Sequence, residues 1–174
     1  SLGSYAYSRS DQVHALATNN LDFVVDPVIP VSDEIDSFKV FEDDWVAMHR
    51  DGHHLADIKN ITIEDILNQR HLHVSNRRRG LHLIDLELDK IGYRREVALR
   101  CQHFLIAPQI LRSTDLVLMG TRSFAIANNL PFIEVPIEIP SMEYFLIWHK
   151  SDEGDGGHLW MKDLIIKAFI DAKK

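Results

Sequence analysis

Short apolar strands alternate with short amphipathic helices along most of the 174-residue chain. "LDFVVD", "HLHVS" and "DLVLMG" are apolar runs of strand length, and we also expect "SLGSYAYS" to form a strand at the start of the chain. Helical spacing lies between such runs, as in "ITIEDILNQ", where Thr62 and Asp65 resemble a capping box. Strands that alternate with helices favour parallel pairing, so the order of elements predicts an α/β fold.

Charge and composition exclude several classes of protein. The formal charge is −7, and the one basic cluster, Arg77 to Arg79, is too short to form a phosphate-binding face, so this chain alone is not predicted to bind DNA. The single cysteine, Cys101, excludes an internal disulfide and agrees with a reducing compartment. No apolar run approaches the roughly 20 residues of a membrane span, and no signal peptide opens the chain. These features predict a cytoplasmic protein.

Two segments, "DWVAMHRDGHHL" and "EYFLIWHKSDEG", read as strands that pass between two lobes. Each strand ends at a basic or histidine residue and is followed by a polar turn with glycine. We therefore expect residues 1–50 and 136–174 to form lobe one and residues 51–135 to form lobe two. The predicted hinge residues on these crossing strands are His49, Arg50, Trp148 and His149.

The last helix is expected to run from His158 to Ala172 and to close lobe one. Its apolar stripe is wide enough to cover one face of a sheet. The residues of this stripe are Leu159, Trp160, Leu164, Ile165, Ala168 and Phe169. On this pattern Trp160 is predicted to lie in the core.

Several motifs, taken in order, resemble the effector-sensing domain of LysR-type transcriptional regulators, in the subgroup of nodulation, aromatic-catabolism and leucine-response regulators. They are "NLDFVVD", "FEDDWVAMHRDGHHLA", "ITIEDILNQRHLHVS", "IGYRREVALRCQHFLIAPQILRSTDLVLMGTRSFA" and "IWHKSDEGDGGHLWMKDLI". The resemblance implies a two-lobed fold like that of type 2 periplasmic binding proteins, with an effector cleft between the lobes. The family's N-terminal DNA-binding domain is not among these residues. "SLGSYAYSRSDQVHAL" is similar to the family's second strand and helix, so the first strand and helix of lobe one are expected to be missing.

The resemblance also implies where an effector binds, because in these regulators the cleft is lined where strands run into helices. On lobe one these positions are Ser8 and Arg9, for which an N-cap and a solvated arginine are the alternative. On lobe two they follow three strands and are Ser75, Asn76, His103, Phe104, Thr121 and Arg122. The alternatives are core packing for Phe104 beside Cys101 and helix capping for Thr121.

Patterns for other chemistry are incomplete. The histidine pairs His53/His54 and His71/His73 lack the further converging ligands that a zinc site requires, so no metal site is predicted. The run "SDEGDG" lacks the spaced oxygen ligands of a calcium loop. A nucleophile elbow, a P-loop and a dinucleotide-binding motif are absent from the sequence. We expect no cofactor and no enzymatic activity.

The sequence thus favours an effector-sensing and oligomerisation domain of a LysR-type regulator. Its expected partners are a small effector, aromatic or carboxylate in chemistry, and further copies of the chain, with DNA bound only through the N-terminal domain. A solute-binding protein of the same fold is one alternative. Another is an effector-independent oligomerisation domain whose cleft is filled by Met48, Phe104 and Trp148. A histidine- or metal-dependent enzyme would instead contain bound metal.

Overall fold

The computed structural model describes residues 2–5, 7–75 and 82–171. The chain divides into two compact units, one formed by Ser1–Glu42 with Glu143–Lys174 (unit 1) and one by Asp43–Met142 (unit 2). Both units contain strands and helices, as the predicted α/β class requires. The expected lobe boundaries after residues 50 and 135 stay a prediction.

The described residues form eight strands and six α-helices. The strands are β1 (Val24–Asp26), β2 (Ile35–Asp43), β3 (Trp45–Met48), β4 (Arg70–Val74), β5 (Glu96–Cys101), β6 (Leu118–Thr121), β7 (Phe132–Glu134) and β8 (Met142–His149). The helices are α1 (Gln12–Ala17), α2 (Ile63–Leu67), α3 (Leu83–Lys90), α4 (Ala107–Arg112), α5 (Arg122–Ala127) and α6 (Gly156–Asp171). Within these described ranges, no helix has the length and hydrophobicity that a membrane span needs.

Unit 1 is built around β8, which lies between β1 and β2 in a three-stranded sheet. Because side chains alternate along a strand, β8 buries residues on both faces. Leu146 and Trp148 pack with Val40 and with apolar side chains of α6, whereas Ile147 packs with Leu16 of α1 and Ile35. Helices therefore bury apolar groups from both faces of this sheet, each buried large side chain contributing about 1.5–3 kcal/mol.

Trp160 does not lie in the core, which corrects the prediction. Its side chain is 63% exposed. The residues of α6 that pack on the sheet are Ile165, Ile166 and Phe169. At 3.6 residues per turn, Trp160 lies roughly 120–180° around the helix from these three, so it points away from the core.

The first residues form no strand, which corrects a second prediction. Residues 2–5, 7 and 8 have no strand pairing, and residue 6 lies outside the described part. Leu2 and Tyr5 are strongly exposed. A strand is stabilised when one of its faces packs against neighbouring side chains. These residues bury no apolar face, so their alternating pattern is not enough to form a strand.

Unit 2 contains a mixed sheet. The central strand β3 pairs antiparallel with β6 and with β7, and β4 pairs parallel with β5. A parallel bridge between His71 and Val117 links these two groups, with the Leu72 N–H donating to the Val117 carbonyl at 2.9 Å. The strands β4 and β5 and the segment that enters β6 thus run in the same direction.

The unit 2 core lies between this sheet and its helices. It includes Val46, Met48, Leu72, Leu111 and Leu118. Met48 thus packs in the core of unit 2, just as Trp148 packs in the core of unit 1.

Local signals in unit 2 give the helix ends that the sequence predicts. Thr62 and Asp65 form the capping box of α2, with the Asp65 N–H donating to the Thr62 hydroxyl at 3.2 Å. Gly92 follows α3 with a φ of 83°, the left-handed conformation that glycine adopts without a steric penalty. Pro108 lies in the first turn of α4, where its missing N–H costs no helical hydrogen bond.

Candidate functional site

Three segments that follow parallel strands meet at one edge of the unit 2 sheet, hereafter the carboxyl edge. The Ser75 N–H, just after β4, donates to the Cys101 carbonyl at the end of β5 at 2.9 Å. The Cys101 sulfur in turn accepts from the His103 N–H at 3.3 Å. Thr121 ends the third strand, β6, and precedes α5. In α/β sheets the carboxyl ends of parallel strands are the usual place for a ligand.

Phe104 follows His103 at the carboxyl edge, and its side chain is half exposed. Its ring meets Phe124 of α5 edge to face, with 6.0 Å between the ring centroids. Phe124 packs against the core of the unit, but 49% of the Phe104 surface stays accessible. The alternative prediction of core packing for Phe104 therefore fails, and the carboxyl edge presents an aromatic surface to solvent.

Arg122, the first residue of α5, is held by carboxylates. Its guanidinium donates two hydrogen bonds to Glu134 at the end of β7, at 2.5 and 2.6 Å, and lies 3.8 Å from Asp44. It also lies over the Phe132 ring, 5.7 Å from the centroid. The preceding residue, Thr121, caps α5 by position, but its side chain makes no capping hydrogen bond.

An open groove of about 630 Å³ borders the same end of β6. Thr121 is paired in register with Trp45, which lines the groove together with Asp44 and Arg122. The other lining residues lie between Glu134, the last residue of β7, and Pro140. The groove lies entirely within unit 2.

The predicted lobe-one positions are not free to bind an anion as they stand. The Arg9 guanidinium forms an ion pair with Asp26, with nitrogen to oxygen distances of 2.7 and 2.9 Å. The Ser8 hydroxyl lies 2.7 Å from that of Ser10. Asn76, predicted beside Ser75, lies outside the described residues.

The predicted hinge residues are each tied to groups in their own unit. The His49 N–H donates to the Pro131 carbonyl, and Arg50 pairs with Asp115 at 2.6 Å. In unit 1, Trp148 is a core residue, and His149 Nδ1 accepts from the Ser151 N–H at 3.2 Å.

A buried group of charged and histidine side chains lies elsewhere in unit 2. Arg95 donates to Asp85 at 2.6 Å, and His73 lies 3.8 Å from the same carboxylate. Burial and the charges of Arg95 and Arg100 lower the pKa of His73. Burial, followed by the Arg95 charge, lowers the pKa of His71 from 6.5 to about 4, so the His71 imidazole is neutral at pH 7.

Metal binding has no geometric basis in the described part of the chain. Over residues 2–5, 7–75 and 82–171, no group of three or more histidine, cysteine or acidic side chains converges as metal ligands. His53, for example, uses both ring nitrogens within the protein: Nδ1 accepts from the Leu55 N–H, and Nε2–H donates to the Asp115 carbonyl.

Neither the groove nor the Phe124 ring that supports Phe104 was predicted from the sequence. Asp44 and Trp45 were predicted only as part of a crossing strand, and the sequence predicted no role for Glu134 or Glu138. The "VPIEIP" run could have suggested an extended wall in which apolar side chains alternate with prolines and one glutamate. The sequence signal for Phe124 is its spacing. It lies three residues after Thr121, so both residues lie near the start of the same helix.

Comparison with known proteins decides the family. The model of the LysR substrate binding domain matches residues 5–169. The chain belongs to this family. Among curated relatives, the transcriptional activator NagR of a Ralstonia species is 27% identical over 138 residues, which cover 77% of this chain and 46% of NagR. This LysR domain spans about half the length of the curated relatives that it matches.

Solved effector-binding domains share the fold of this LysR domain. The BenM domain with its effector benzoate superposes with a TM-score of 0.77 at 10% identity, covering 97% of this chain and 78% of that one. The QuiR domain in complex with shikimate gives a TM-score of 0.76 at 13% identity, covering 95% and 79%. At such identities the likeness establishes the fold, which is that of type 2 periplasmic binding proteins.

Proposed function

We propose that this LysR domain binds a small organic effector at the carboxyl edge of unit 2. In the whole protein, binding would modulate transcription by a homo-oligomer that contacts DNA through an N-terminal domain and acts in the cytoplasm. The domain itself would sense the effector and catalyse no reaction. Residues 51–135 would form the effector-binding lobe, joined to the rest through His49, Arg50, Trp148 and His149.

The half-exposed ring of Phe104 carries the proposal. An aromatic side chain that is supported by Phe124 and leaves half its surface in water offers a flat apolar contact. It follows directly on the carboxyl ends of parallel strands, where ligands bind in α/β folds. Covering such a ring with a ligand removes apolar surface from water and stabilises the complex.

Polar groups near Phe104 suit an aromatic or carboxylate effector. The Thr121 hydroxyl makes no capping bond and can donate to an oxygen of the ligand. His103 and Ser75 lie on the two neighbouring segments of the edge. Benzoate and shikimate, named with BenM and QuiR, are both carboxylates. Ser8, Arg9, Asn76 and Arg122 stay predictions from the sequence, since the guanidinium groups of Arg9 and Arg122 are already paired with Asp26 and Glu134.

Thermal unfolding with a panel of ligands tests this function. The panel contains benzoate, shikimate, neutral aromatic alcohols and amino acids, with divalent metals and a chelator as controls. A compound that binds only the folded state stabilises it by about 2.7 kcal/mol at a concentration 100 times its dissociation constant. We expect a saturable rise in Tm with aromatic or carboxylate compounds. A Tm that no organic compound raises would contradict the proposal.

A further inference from the structure

The groove beside Trp45 is built from walls that are bonded to each other. The Trp45 indole N–H donates to the Pro140 carbonyl at 3.1 Å, and the Ser141 hydroxyl donates to Asp44 at 2.7 Å. Arg122 bonds both oxygens of Glu134. These bonds join β3, the start of α5 and the 134–140 segment, so the groove exists before any ligand binds and its formation adds little to the cost of binding.

Its charge excludes an anion as the natural occupant. Three carboxylates, those of Asp44, Glu134 and Glu138, line the groove with one guanidinium, that of Arg122. The guanidinium is already engaged by Glu134 and lies near Asp44, so it has little positive charge to offer. The exposed Glu138 has no ion-pair partner in the described part of the chain. A ligand here meets an excess of negative charge.

The same groove has an apolar wall. Val135, Ile137 and Ile139 alternate with Glu134, Pro136 and Glu138 along the 134–140 segment, and each is partly buried beside the groove. A volume of about 630 Å³ is within the usual range for sites that take small organic molecules. The ligand that matches both features has an apolar body and a positive charge.

We propose that this groove binds a small organic cation, an amine on an apolar body, with the ammonium group at Glu138 and the body against Ile137 and Ile139. The site goes beyond the effector site proposed at Phe104, since it has the opposite charge preference and a different wall. It gives the domain a second ligand position on the residues through which the chain enters and leaves unit 2.

A chemical-shift titration by NMR tests the groove with three probes of one shape. Phenethylamine is charged positively at pH 7, 2-phenylethanol is neutral and 3-phenylpropionate is negative. We expect phenethylamine alone to saturate and to shift the Trp45 indole N–H resonance. The Glu138→Gln variant should weaken its binding about fivefold, the range of an exposed ion pair, and Glu138→Lys should weaken it further. Glu96→Gln, at an exposed glutamate of β5, is the matched control and should leave the affinity unchanged.

Two results would overturn the proposal: no saturable shift with phenethylamine, or equal binding of the alcohol or the acid. An affinity that Glu138→Gln leaves unaltered would equally reject Glu138 as the recognising group. Phe104→Ala separates this site from the proposed effector site, because it should leave phenethylamine binding intact whether or not an effector binds at the carboxyl edge.

Discussion

The carboxylate of Asp43 accepts hydrogen bonds from both the backbone N–H and the hydroxyl of Ser123. Asp43 is the last residue of β2 and only 6% exposed, whereas Ser123 lies in the first turn of α5. The N–H of Arg122 also donates to the Asp44 carbonyl at 2.9 Å. The first turn of α5, which follows the proposed effector contact Thr121, is thus capped by the segment through which the chain enters unit 2.

Removing this cap should destabilise the domain. Asp43→Ala removes the buried carboxylate that accepts from the Ser123 N–H and hydroxyl, so we expect a loss of about 1.5–3 kcal/mol in the free energy of unfolding, the range of hydrogen bonds to a charged group. Asp43→Asn keeps one acceptor oxygen and should lose less. Urea unfolding measures both. Asp33→Ala, at an exposed aspartate of unit 1, is the control, and an equal effect of Asp33→Ala and Asp43→Ala would refute the capping role.

The two tryptophans Trp148 and Trp160 should differ sharply on truncation. Trp148 lies in the core of unit 1, so Trp148→Ala should cost about 3–5 kcal/mol. Trp160 faces solvent, so Trp160→Ala should change the free energy of unfolding by no more than about 0.5 kcal/mol. Chemical denaturation of the two variants checks this prediction. A large loss for Trp160→Ala would mean that this side chain is buried in the protein in solution.

Lowering the pH should lower the free energy of unfolding, because folded His71 resists protonation. The unfolded chain takes up a proton near pH 6.5, whereas folded His71 resists protonation down to about pH 4. The unfolded state therefore binds more protons between these values, and stability falls as the pH drops through this window, by up to about 3 kcal/mol. The pKa values of His53 and His73 are also lowered, chiefly by burial, and act in the same direction.

Urea midpoints at pH 7, 5.5 and 4.5 measure this dependence. His71→Gln removes one of the titrating groups and should flatten the slope, while His14→Gln, at an exposed position of α1, should not. Equal stability of the parent protein at pH 7 and 4.5 would show that His71 is protonated without cost in the fold.

Local chemistry made much of the fold predictable. The capping box of Thr62 and Asp65 and the glycine after α3 act within a few residues of the structure that they determine. Trp160 shows where this reasoning stops. The composition of α6 indicates an apolar helix. Which face of the helix meets the sheet depends on its rotation about its own axis relative to Leu146 and Trp148, and the sequence of one segment does not determine that rotation.

The site depends on contacts between distant residues. Asp43 and Ser123 are 80 positions apart, and Arg122 meets Glu134 12 positions away. The sequence predicts that Ser75, His103, Phe104 and Thr121 follow strands, but Glu134 reaches Arg122 only through the pairing of β7 with β3. Long-range pairing of this kind leaves no local pattern in the sequence.

Phe104 provides the most direct test of the central claim, that an effector binds at the carboxyl edge of unit 2. Leu105 is its neighbour in the same 3₁₀ turn and is 95% exposed, so Leu105→Ala is the matched control. The measurement is the rise in Tm caused by the best compound of the ligand panel in the parent protein and in both variants. We predict that Phe104→Ala loses most of this rise while its own Tm changes little, and that Leu105→Ala keeps it. An undiminished rise in Phe104→Ala would contradict the account.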